Sequence, residues 1–132
     1  MSDEIPERSE VIRSTVITVF FTVVFIVLGL AFWAWSSPEV IQTSPVGAIN
    51  ELNPALTVLI EVLIMLMTFI FLSVTVINLR LGLTNIRAGW TEVIFLLIVI
   101  AIVTSAMFGL FVGAATVVLS LGFVVYLYLL QD

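Results

Sequence analysis

Apolar residues run through this chain in long stretches, and the few polar positions mark where it could leave hydrocarbon. Residues 14–35, STVITVFFTVVFIVLGLAFWAW, hold no charge. As a helix these twenty-two residues rise ~33 Å, enough to cross a hydrocarbon core of ~30 Å. A cleavable signal sequence is disfavoured, because the run ends in bulky Phe32, Trp33 and Trp35 where a cleavage site needs small side chains. Residues 36–53 carry Pro38, Pro45 and Gly47 and read as a connecting loop lying on the interface. Asn53 followed by Pro54 is a helix start, with a capping side chain and then a proline at the first helical position. The helix that follows ends before Gly82 and Gly89.

From residue 93 to residue 130 there are thirty-eight residues without a charge. One helix of that length would reach ~57 Å, almost twice the membrane core, so the segment must fold back. Residues 107–115, MFGLFVGAA, hold the only turn-capable glycines near its middle. The pattern therefore predicts an all-α integral membrane four-helix bundle built from two transmembrane hairpins. Its parts are a cytoplasmic tail 1–13, a first span 14–35, an external loop 36–53 and a second span 54–79. A cytoplasmic loop 80–89, a third span 90–108, a tight external turn 109–111 and a fourth span 112–130 complete it.

Arginine supplies the expected orientation. All four arginines lie in the N-terminal tail or near the loop between the second and third spans, and an even number of crossings puts these segments on one side. The positive-inside rule makes that side cytoplasmic, with both termini inside. Trp33 and Trp35 would then mark the outer interface and Trp90, Tyr126 and Tyr128 the inner one.

Polar and small residues inside the spans are spaced for helix faces. Thr15, Thr18, Thr22 and Gly29 fall on one face of the first helix, and Thr57, Glu61, Thr68 and Thr75 on one face of the second. Two such stripes in consecutive helices are expected to face each other, since helices in lipid associate through close packing and interhelical hydrogen bonds. Ala101, Ser105 and Gly109 make a small-residue ladder in the third span, and Gly113, Thr116 and Ser120 continue it along the fourth. Ladders of this kind let two backbones approach.

Composition narrows the chemistry. Of 132 residues, 62% are hydrophobic and 10% charged, against ~45–50% and ~25% in soluble domains. The mean hydropathy of +1.33 belongs to a chain whose solvent is the lipid bilayer. Cysteine, histidine and lysine are absent, which removes disulfides, the usual zinc ligands, Schiff-base chemistry and the commonest general base. No cofactor, metal or catalytic residue is expected. Nucleic-acid binding is excluded by four arginines against nine acids, because phosphate neutralisation needs clustered positive charge. The net charge of −5 carried on a lysine-free surface suggests a high-salt cytoplasm, in a halophilic archaeal host or one of its viruses.

Glu92 lies at the very start of the third span, whereas Glu61 sits within the second, about 10 Å from the start of its helix, in the outer half of the core. A charge at the bilayer centre costs roughly 2.5–3.5 kcal/mol, and somewhat less toward the interface. With no cation in any span, Glu61 must take up a proton, find hydroxyl partners such as the first-span threonines, or open to water. An intramembrane acid is a functional candidate by default. The expectation for the whole is a non-enzymatic membrane protein acting through assembly, as a homo-oligomer or with other membrane subunits. It would be a structural or accessory component of a cell membrane or an archaeal viral envelope. The alternative is an oligomeric proton or cation pathway that uses Glu61.

Overall fold

Helix formation outruns the apolar stretches that predict it. In a computed structural model that describes residues 8–84 and 90–131, α1 (Arg8–Trp35) begins six residues before the uncharged run, inside the polar tail. The apolar run sets what lipid can cover, whereas the backbone can stay helical wherever side chains permit. The expected loop 36–53 is more ordered than a connector. It holds a turn of 3-10 helix at Ile41–Thr43 and a short helix α2 (Pro45–Leu52). Then come α3 (Pro54–Thr84), α4 (Trp90–Phe108) and α5 (Leu110–Gln131). Residues 1–7 and 85–89, and with them Arg87, lie outside the described residues.

Local chemistry accounts for α2. Ser44 accepts a hydrogen bond from the Gly47 N–H at 3.3 Å, and Pro45 occupies the first helical position. Any side chain at Gly47 would strike the Ile41 carbonyl oxygen, so the preceding turn can fold onto α2 only over a glycine. Asn53 then breaks the helix in extended conformation, and its Oδ1 caps α3 by accepting from the Ala55 N–H at 3.0 Å.

The reversal between α4 and α5 needs one residue where three were expected. Gly109 has φ +98°, a conformation that L side chains rarely adopt, and α5 starts at the next residue. The fourth helix thus begins two residues earlier than the glycine spacing suggested.

Four of the helices, α1, α3, α4 and α5, are long and apolar enough to cross a membrane. Their arrangement centres on α3. The extended interfaces are α1 with α3, α4 with α5, and α3 with each of α4 and α5, while α2 covers one end of α3. α1 forms no such extended interface with α4 or α5. The shared core gathers Phe32 from α1, Val46 from α2, Ile64, Met65 and Phe69 from α3, Val93, Leu97 and Ile100 from α4, and Val124 from α5.

Candidate intramembrane polar site

The second-span stripe is turned inward as a unit. Thr57, Glu61, Thr68 and Thr75 are all buried, and Glu61 is only 7% exposed. On α1, Thr18 and Thr22 are buried and Thr15 half-buried. The two stripes do not bond to each other. Thr15 donates to the Val11 carbonyl at 2.7 Å, Thr18 to Thr15 at 3.1 Å and Thr22 to Thr18 at 2.7 Å. Thr68 donates to Ile64 at 2.8 Å and Thr75 to Phe71 at 2.7 Å. A threonine hydroxyl in a helix can, in one of its rotamers, reach the carbonyl one turn back. In a medium without water that nearest acceptor wins over a partner across the interface.

Register decides where Glu61 goes. α1 and α3 are antiparallel: Gly29 lies beside Ile64 and Met65, and Asn78 donates to the Ser14 hydroxyl at 2.8 Å. This pairing sets Thr75 level with Thr18, but Glu61 level with Phe32, ten residues beyond Thr22 and so ~15 Å further along the axis. The α1 threonines are out of its reach. Glu61 has no hydrogen-bond or ion-pair partner among the described residues. One turn nearer the α2 end, Thr57 donates to the Asn50 side-chain oxygen of α2. Asn50, Thr57 and Glu61 therefore form a short polar string that descends from the α2 cap into the apolar interior.

The small-residue ladder is used within the chain. Gly113 sits against Ser105, so close that an added methyl group would lie 3.2 Å from the Ser105 Cα. Thr116 and Ser120 are fully buried, Ala101 is half-buried, and Gly109 forms the exposed turn. Four hydroxyls in this half have no hydrogen-bond partner among the described residues: Ser73 of α3, Thr104 of α4, and Thr116 and Ser120 of α5, each with 0% exposure. Leaving a buried hydroxyl unsatisfied costs about 1–3 kcal/mol in water-soluble proteins.

Sequence reasoning missed Asn50, Ser14, Asn78, Ser73 and Thr104. Asn78 had a usable signal, as the lone amide side chain between residues 54 and 79. Thr104 also had one: it continues the helical spacing of the buried Val93, Leu97 and Ile100. Asn50 had none, because its role depends on α2 folding back over α3.

Among the described residues no group of three or more acidic, cysteine or histidine side chains is brought together to hold a metal ion. No known family model, curated protein or solved structure matches the chain.

Proposed function

We propose that this chain is a small integral membrane protein that acts by assembling in the bilayer, as a structural or accessory subunit, and not by catalysis. The observation that carries this reading is where the polar groups are spent. The span threonines Thr15, Thr18, Thr22, Thr68 and Thr75 are closed on their own helices, and Ser73, Thr104, Thr116 and Ser120 are sealed from any substrate. The described chain outside the spans is little more than a 3-10 turn and an eight-residue helix. What remains to be presented is apolar helix surface, in which the extended contacts of α1 among the described residues are with α3 and, to a lesser degree, α2. The arginine placement supports both termini on the cytoplasmic side. The acidic, lysine-free charge set supports a high-salt host, with an archaeal cell membrane or viral envelope as the setting. Crosslinking in native membranes is expected to give a ladder of homo-oligomers or one stoichiometric partner. A strict monomer there, and after mild solubilisation, would overturn the reading.

A second reading is favoured by one observation, the buried Glu61 carboxyl without a partner beneath the Asn50–Thr57 hydrogen bond. Copies sharing such acids could pass protons or small cations. In proteoliposomes this reading expects cation or proton flux that Glu61→Gln abolishes. Equal flux in both proteins, or none in either, would remove it.

A further inference from the structure

α1 and α4 both lie against α3 without forming an extended interface with each other, and a cleft runs between them. Its deep part is a cavity of about 210 Å³, to which α1 contributes Ile26 and Leu30, α3 Met65 and Leu72, and α4 Ile100 and Met107. Gly29 also lines it. Thr68, the one hydroxyl residue on its wall, has turned that hydroxyl to the Ile64 carbonyl. Met107 also borders a second hollow, of about 520 Å³, rimmed by Trp33, Ser36, Ser37 and Pro38 at the α2 end of the molecule. Of the two serines there, Ser36 donates its hydroxyl to the Phe32 carbonyl at 2.7 Å. The cleft is thus apolar below, apart from one satisfied threonine, and gains two serines above, with Met107 at the junction.

We propose that this cleft binds one phospholipid, its acyl chain in the apolar cavity and its headgroup region at the Ser36–Ser37 rim. The dimensions agree: Ile26 lies nine residues from the end of α1 at Trp35, next to the serines, ~14 Å along the axis, which is about the depth of one leaflet of a ~30 Å core. The polarity gradient agrees too. A neighbouring transmembrane helix would present apolar side chains through the whole of that depth, whereas a lipid changes from hydrocarbon to polar ester and phosphate where the serines begin. Trp33 at the rim is the residue type that settles at headgroup level. Met65 and Met107 are unbranched and adapt to a chain with many conformers. The proposal rests on the chain spanning a membrane and is independent of how, or whether, it assembles.

The test keeps the native fold. The protein is made with photo-reactive diazirine methionine, reconstituted in dioleoylphosphatidylcholine vesicles, transferred to lipid-free detergent micelles so that loosely held lipid exchanges away, and irradiated. The expected product carries one phospholipid per chain, attached at Met65 or Met107. A Val103→Phe variant, which fills the cavity wall, is expected to retain at least tenfold less lipid, and Val118→Phe on the exposed face of α5 the same amount as wild type. Chain-to-chain adducts at Met107 in place of lipid adducts would assign the cleft to a second copy and overturn the proposal. So would the absence of any lipid adduct after exchange, or equal lipid retention in the Val103→Phe variant.

Discussion

Along the α1–α3 pair five threonines are turned back on their own backbones, whereas between α3, α4 and α5 four hydroxyls are sealed with nothing to bond among the described residues. The α1–α3 pair is held by larger groups: Phe71 stacks on Phe21 and Phe25 at centroid distances of 5.2 and 5.8 Å, and one amide–hydroxyl bond joins Asn78 to Ser14. Gly29 there has ordinary van der Waals room, since a methyl group would meet Ile64 and Met65 at 3.5 Å. The α4–α5 hairpin is held by closeness, with Gly113 against Ser105 and a one-residue turn. The difference shows two ways of joining helices without a hydrophobic driving force: wide contacts between large side chains, or narrow contacts between backbones.

The contrast can be broken most directly by the same substitution in both halves. Gly113→Ala forces its methyl group into the Ser105 side chain and backbone, and a destabilisation of about 2 kcal/mol is expected, within the range for overpacked interiors. Gly29→Ala is expected to change stability by less than about 0.5 kcal/mol, within the spread of substitutions that make no clash. Reversible unfolding in mixed micelles measures both, and a larger loss at Gly29 would reverse the contrast.

The turn gives the next largest effect. Gly109→Ala must place an L side chain at φ +98°, with an expected loss of about 1–2 kcal/mol even though nothing lies near the added methyl group. Unfolding of this variant under the same conditions, with unchanged stability, would show that the hairpin can turn without its glycine.

The smallest expected effect carries the opposite sign. Thr104→Val removes a hydroxyl with no partner while keeping its shape, and a gain of about 1 kcal/mol is expected. Thr68→Val removes a hydroxyl already bonded to its own helix, with an expected change within about 0.5 kcal/mol. A loss at Thr104 equal to that at Thr68 would mean that the sealed hydroxyl has a partner in the membrane.

Much of the fold was legible because the bilayer is a severe constraint. A span needs about 20 apolar residues, so uncharged length alone counted four long helices and demanded a reversal near Gly109. Helical spacing also picked out Thr57, Glu61, Thr68 and Thr75 as one face, since that follows from 3.6 residues per turn. The partners of those residues were not legible. Spacing says which side chains share a face, but not how far two helices slide past each other.

The sequence by itself therefore determined how many helices can cross, roughly where each begins and ends, and which positions avoid lipid. Those properties depend on hydrophobicity and local geometry, which every segment carries alone. Only the tertiary structure decided that α2 folds back to bring Asn50 to Thr57, that the register leaves Glu61 beyond the α1 threonines, and that a cleft remains between α1 and α4. Each of these depends on the relative placement of two helices, which is set by side-chain packing summed over a whole interface and by no residue alone.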